Sequence, residues 1–336
     1  MKRLIVSISL GFALSLLSIQ ILTLYANQDI RFFRQALSVT KQWCKKLRTA
    51  EQSCLILAGG SEIRNGINPS QMHHDENMYA INAATGAGFG VMCNAQLALG
   101  FAKPGDTLLL SIHSGKNNLY KLTSAGCKLL IWEQGLKAFH TGVIRLNPAF
   151  VKLFFQSDAG AFLNTLARVF TGKILYRYHA QTSISPSGWM KIEYTDIQNR
   201  PPFHENKLDS IANWIPDSYA ISQLQSIKNY CNQNKIKFIL HLPVGYNTES
   251  VQPQRAILAY HLTIEGFDIL KDERLGADPS TFCYADTYDH LSPAGVRKNT
   301  HIIAQLVKQH QYWNSNELEQ FLQQRGWHTN GNRIEK

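Results

Sequence analysis

The sequence predicts a three-layer α/β/α fold built on a mainly parallel, doubly wound sheet. Short apolar runs recur at residues 55–58, 78–85, 107–112 and 236–243. Each has strand length and is bounded by glycine, proline or polar turn residues. Longer stretches of helical pattern lie between them, and strands alternating with helices give parallel order with helices on both faces. The third observation is size. A chain of 336 residues, 44% hydrophobic and 17% charged, suits one large domain plus a terminal segment, with or without an insertion.

The chain opens with Met1-Lys2-Arg3, followed by an apolar run from Leu4 to Tyr25 without a charged residue. Its length of about 20 residues suits a membrane-spanning helix better than a short signal-peptide core. Lys2 and Arg3 favour a cytoplasmic N-terminus, although Arg31 and Arg34 weaken the bias. The expectation is an uncleaved signal anchor over residues 1–27, crossing the inner membrane once and leaving the rest extracytoplasmic, in the periplasm. A cleaved signal peptide is the alternative, but Leu24-Tyr25-Ala26 lacks the first small residue of a cleavage site. Residues 28–52 read as an amphipathic linker helix, with Phe32, Phe33 and Trp43 among basic residues. A membrane-proximal stalk and a helix packed on the domain fit this pattern equally.

Residues 53–310 form the predicted domain. Its first strand, Leu55–Ala58, stops at Gly59-Gly60-Ser61, which presents a hydroxyl at the carboxyl edge where open α/β sheets keep their ligands. The second, Met78–Thr85, stops at Gly86-Ala87-Gly88-Phe89-Gly90. This matches a dinucleotide loop poorly: the third glycine falls one place early, and Asp106 begins a later strand instead of ending one. A glycine turn with free N–H groups serves an oxyanion equally well. A helix runs to Leu99, and the third strand, Thr107–Ile112, leads into His113-Ser114-Gly115-Lys116-Asn117-Asn118.

Residues 121–230 fit the alternation less well and are expected to be an insertion, with helices over Phe150–Phe155 and Ala161–Tyr178. Helices completing the core are the competing reading. A helix over Tyr219–Asn234 then leads to the strand Ile236–Pro243, and Ala256–Leu270 supplies another helix with a short strand. A last helix, Pro293–His310, closes the domain. Residues 311–336 are expected to be a C-terminal tail.

Composition narrows the partners. A net charge of +10 reads first as excess charge on a solvated surface, and it also favours anionic surroundings such as lipid headgroups or acidic polysaccharide. The basic residues are scattered and accompany no recognition motif, so no nucleic-acid partner is expected. Cys44, Cys54, Cys93, Cys127, Cys231 and Cys283 are spread singly, against both a structural zinc site and a disulfide scaffold. His73-His74-Asp75 reads as a solvated loop, since adjacent histidines diverge on regular structure. No metal and no cofactor is expected.

The strand ends thus deliver Ser61, a glycine turn and Asn117, and a late loop, Asp286-Thr287-Tyr288-Asp289-His290, delivers an acid and a histidine. Acyl transfer uses this set. A serine hydroxyl is a weak nucleophile until a histidine takes its proton, a carboxylate orients that histidine, and N–H groups receive the oxyanion.

In order, Gly59-Gly60-Ser61, Gly86, Gly115-Lys116-Asn117-Asn118 and Asp286 with His290 resemble the four blocks of the SGNH (GDSL-like) hydrolase superfamily. The resemblance covers residues 53–120 and 235–310. It implies a flavodoxin-like sheet, Ser61 as nucleophile, His290 as general base and then acid, and Asp286 as its orienting carboxylate. The N–H groups of Ser61 and Gly86 and the Asn117 amide are implied as the oxyanion donors. No Gly-x-Ser-x-Gly elbow is present to support an α/β-hydrolase instead.

The chain departs from the family in several places. Gly60 and Asn118 stand where the blocks usually carry acids, and the usual Asp-x-x-His spacing falls on Thr287. Asp289 is therefore the second choice of acid, and His113 and His241, also at strand ends, are substitutes for His290. The spacing of Asp286 and His290, followed by Leu291-Ser292-Pro293, looks like membrane-anchored SGNH proteins that accompany membrane-bound O-acyltransferases. That likeness implies an ester substrate, an O-acyl group on a cell-envelope glycan, and a possible acyltransferase partner. A catalytically degenerate SGNH domain serving as a binding or assembly partner is the alternative.

Overall fold

The structure, a computed structural model, describes residues 6, 7, 9–11, 14, 15, 18, 27–50, 52–112, 120–156, 184–190, 215–244, 251–275, 291 and 293–331. Its centre is a parallel sheet of β1 (Leu55–Ala58), β2 (Ala80–Asn82), β3 (Thr107–Ser111) and β4 (Lys237–His241) in the order β2-β1-β3-β4. A parallel bridge between Leu240 and Ile269 continues it past β4. The order is that of flavodoxin-like sheets, and it reverses direction between β1 and β3, where such sheets form a ligand crevice.

All four residues of β1 are buried, as expected of a central strand covered on both faces. Alternation divides the sheet into two cores. Ile56, Ala58, Leu108, Leu110, Phe238 and Leu240 join one of them. It is completed by α1 (Gln28–Leu47), α4 (Val91–Leu99), α5 (Ser124–Gln134), α7 (Ser218–Gln233) and α8 (Val251–Ile264). A short helix, α6 (Pro148–Phe155), adds Phe150. Leu55, Leu57, Leu109 and Ile239 join the other core. It is covered by α2 (Ser61–Gly66), α3 (Pro69–Glu76) and α9 (Pro293–Lys308). The layering is thus α/β/α, as predicted.

The structure decides two open readings of the periphery and changes one expectation. The helix expected to be a linker, α1, is packed on the domain: Ile30, Phe33, Leu37, Thr40 and Leu47 recur at helical spacing and are all buried. Trp43 also donates its indole N–H to the Ala80 carbonyl over 2.9 Å. The expected tail from 311 is likewise part of the domain. Trp313 N–H reaches the Ile269 carbonyl at 2.9 Å. A helix, α10 (Ser315–Gln324), starts with an Asn314–Glu317 capping box and buries Leu318 and Leu322 against α8. Finally, both ends of the expected insertion, α5 and α7, are core helices.

The segment expected to be helical over 161–178 lies outside the described residues, as does most of the expected anchor, residues 4–25. No helix among the described residues is long and apolar enough to cross a membrane. Cys44, Cys54, Cys93, Cys127 and Cys231 are free thiols.

Candidate active site

Ser61 begins α2 directly after β1, half-buried at the carboxyl edge. Two glycines make the turn that places it. Gly59 has φ +152°, and a methyl there would lie 2.9 Å from Ser111 Cβ and 2.8 Å from Ile63 Cγ1. A methyl on Gly60 would lie 3.0 Å from the Ala87 nitrogen. The serine turn and the glycine turn after β2 are therefore pressed together, with Thr85 N–H bonded to the Gly59 carbonyl at 3.0 Å.

This contact matters for oxyanion chemistry. The N–H groups of Ser61 and Gly86 donate to no acceptor among the described residues. Gly86 itself is fixed from behind, since a methyl there would meet the Phe33 ring at 3.1 Å. Glu62, 4% exposed, folds back so that its Oε1 accepts from the Gly60 N–H at 2.8 Å. A carboxylate thus sits at the serine turn after all, supplied from position 62 instead of 60. Sequence reading overlooked it, although an acid directly after the serine was visible.

Asn117, Asp286, Asp289, His290 and the substitute His113 lie outside the described residues, so the structure brings together only Ser61 and Gly86 of the predicted set. The two residues flanking 276–290 are described, and both ends of that segment lead to α2. At the first end, Arg274 holds Asp272 in a two-pronged ion pair and donates to Asn299 Oδ1 at 2.8 Å. Asn299 in turn donates Nδ2 to the Gly66 carbonyl, the last residue of α2, at 2.9 Å. At the second end, Leu291 is 2% exposed, and a methyl on Gly66 would lie 3.6 Å from its Cδ1.

The other substitute, His241, is a core group. It is 1% exposed at the end of β4, two strands from β1, and neither ring nitrogen has a hydrogen-bond partner among the described residues. Burial pushes its pKa down to about 4, while Asp272 and Glu62 pull weakly the other way. A ring sealed in this way favours its neutral form. Ser111, its partner across the ladder, has an equally buried hydroxyl.

Other polar groups are structural. His73 and His74 lie on α3, correcting the loop reading, and the His73 ring packs beside Tyr79 with centroids 4.9 Å apart. Asp106, the acid considered for a nucleotide ribose, accepts instead from Arg48, from Cys54 N–H at 2.8 Å and from Lys103 N–H at 2.7 Å. A cavity of about 810 Å³ lies away from Ser61, between α1, α4 and α5, lined by Lys41, Arg48 and Lys103 among others.

Comparison with protein-family models, with curated proteins and with solved structures finds no match for this chain. The fold and the serine turn define an α/β protein with a candidate hydroxyl nucleophile at the sheet's switch point.

Proposed function

We propose that the chain is an extracytoplasmic, membrane-anchored serine esterase or O-acyltransferase of SGNH type, acting on acyl esters of a cell-envelope glycan. One observation carries this reading: both ends of the segment holding Asp286 and His290 are tied to the C-terminal end of the six-residue helix that Ser61 begins. A helix that short spans about 8 Å. Leu291, the residue after His290, thus lies against the helix end about one and a half turns from Ser61.

In the proposed reaction Ser61 Oγ attacks the acyl carbonyl while His290 takes its proton and Asp286 holds the imidazole. The oxyanion of the tetrahedral intermediate is met by the Ser61 and Gly86 N–H groups and the Asn117 amide. Collapse breaks the ester bond, and His290 returns the proton to the departing alcohol, leaving an acyl-serine. Water or a sugar hydroxyl, activated by the same histidine, then takes the acyl group. The scheme calls for no metal, nucleotide or nucleic acid, and a membrane-bound O-acyltransferase is a fitting partner.

Turnover of p-nitrophenyl acetate by the full-length chain tests the reading. Ser61→Ala and His290→Ala should abolish it, and comparison of Asp286→Asn with Asp289→Asn assigns the acid. Turnover unaffected by Ser61→Ala would sink the proposal. The second reading, a non-catalytic partner of an acyltransferase, draws on Gly60 and Asn118. Absence of turnover together with retained binding to the acyltransferase would favour it.

A further inference from the structure

We propose that the hairpin Ile184–Met190 is a clamp holding α2, and with it Ser61, against the chain that leads from His290 into α9, with Arg64 and Trp189 as positioning residues. The inference rests on the serine–histidine reading above. It gives a role to a part of the 121–230 region that had none.

The hairpin is built to be rigid. Ser185 N–H bonds to the Trp189 carbonyl at 2.7 Å, and Gly188 N–H to the Ser185 carbonyl at 2.9 Å. Gly188 takes φ +82°, which closes the turn after Pro186 and favours glycine. The same glycine permits close docking on α1, because a methyl there would lie 2.6 Å from Thr40 Oγ1.

Three hydrogen bonds then join this hairpin to two successive residues of α2. Arg64 Nη1 donates to the Gly188 carbonyl at 2.6 Å. Met190 N–H donates to the Arg64 carbonyl at 3.2 Å. Trp189 Nε1 donates to the Asn65 carbonyl at 2.8 Å. Arg64 is 0% exposed, and no carboxylate among the described residues pairs with it. Its Nη1 also donates to Thr40 Oγ1 at 3.2 Å and to the Asn82 carbonyl at 3.1 Å. A buried cation that shares one nitrogen among acceptors of separate segments fixes their mutual positions, and because Arg64 Nε and Nη2 have no hydrogen-bond partner among the described residues, losing any of these bonds strands the charge further. Here those segments are α1, the end of β2 and the hairpin.

Trp189 extends the clamp across the site. Its N–H holds α2 one turn beyond Ser61, while its apolar ring packs with Val244, Leu291 and Val296. Leu291 directly follows His290, Val296 lies in the first turn of α9, and Val244 lies just after β4. One side chain therefore bonds to the serine helix and packs against the cluster that includes the residue next to the histidine. Misplacement of reacting groups by about 1 Å costs up to roughly 100-fold in rate, so such a contact is worth a measurable factor.

The test is the rate at which a fluorophosphonate labels Ser61 in the full-length chain, read as a function of pH per folded molecule. Trp189→Ala should slow labelling at least tenfold and shift the acidic limb of the pH–rate profile. Trp189→Phe, which keeps the ring and loses the donor, should fall between it and the wild type. Both variants labelling at the wild-type rate per folded molecule, with only a lower melting temperature, would overturn the clamp. Amide exchange separates this outcome from failure of the underlying reading. Should the wild type not label at all, the serine reading falls. Even then, unchanged protection of α2 in Trp189→Phe refutes the clamp, whereas faster exchange at Ile63–Gly66 supports it.

Discussion

Asn299 of α9 donates its side-chain amide to the Gly66 carbonyl at 2.9 Å while accepting from Arg274 at 2.8 Å. It thereby ties the last helix of the domain to the end of the helix that Ser61 starts. Both Asn299 and Gly66 are buried. Asn299→Ala should cost about 1–3 kcal/mol, chiefly from the orphaned Gly66 carbonyl, since Arg274 keeps its pair with Asp272. Urea unfolding measures this, and the same variant should lose most of its reactivity toward a serine probe.

Placing an acid at position 60 should harm the protein. A Cβ on Gly60 would sit 2.5 Å from Glu62 Oε2 and 3.0 Å from the Ala87 nitrogen. Gly60→Asp is expected to lose at least roughly 2 kcal/mol of stability through overpacking and carboxylate repulsion. It should gain no turnover. Thermal unfolding alongside an ester assay reads both outcomes.

His241 predicts a pH dependence. Its folded pKa of about 4 lies below the ordinary 6.5 because burial disfavours the cation. Between those two values the unfolded chain binds a proton that the folded chain does not, so stability falls as pH drops from 6.5 toward 4. The loss attributable to this one residue is roughly 3 kcal/mol. His241→Asn should flatten the stability profile over that window, and chemical denaturation at pH 6.5, 5.5 and 4.5 would show it.

Asp106 offers a control far from the site. It is 1% exposed and holds Arg48 together with two backbone N–H groups at the amino end of β3. Asp106→Asn should destabilise the domain by about 3–5 kcal/mol. Probe reactivity per folded molecule should not change.

The packing of α1 makes a truncation informative. Removing residues 1–26 should leave cooperative unfolding intact, because the Asn27 cap on Ile30 N–H at 3.0 Å survives. Removing residues 1–50 should abolish it, because Ile30, Phe33, Leu37, Trp43 and Leu47 leave the core together. Circular dichroism melts of the two chains distinguish these cases.

Much of the fold was legible because buried strands announce themselves as apolar runs. Leu55–Ala58, Thr107–Ser111 and Lys237–His241 fall within the expected limits. The second strand is shorter than its apolar run, yet Ala83 N–H still reaches the Leu57 carbonyl at 2.9 Å. The periphery was less legible, since amphipathic spacing says that one face is covered and not by what. That is why α1 read equally as a stalk or a packed helix, and α10 as a tail. At the site, the Ser61 turn could be read from its glycines, which a sharp chain reversal requires. Arg64 could not: an arginine two places after a glutamate reads as surface, and one of its acceptors is the Gly188 carbonyl, 124 residues away. Trp189 was hidden in the same manner.

The most direct measurement is the mass of full-length protein after treatment with a fluorophosphonate, with peptide mapping and with Ser61→Ala and His290→Ala alongside. The account predicts one adduct, on Ser61, absent from Ser61→Ala and strongly reduced in His290→Ala. A folded protein that takes no label, or takes it at another residue, would contradict it.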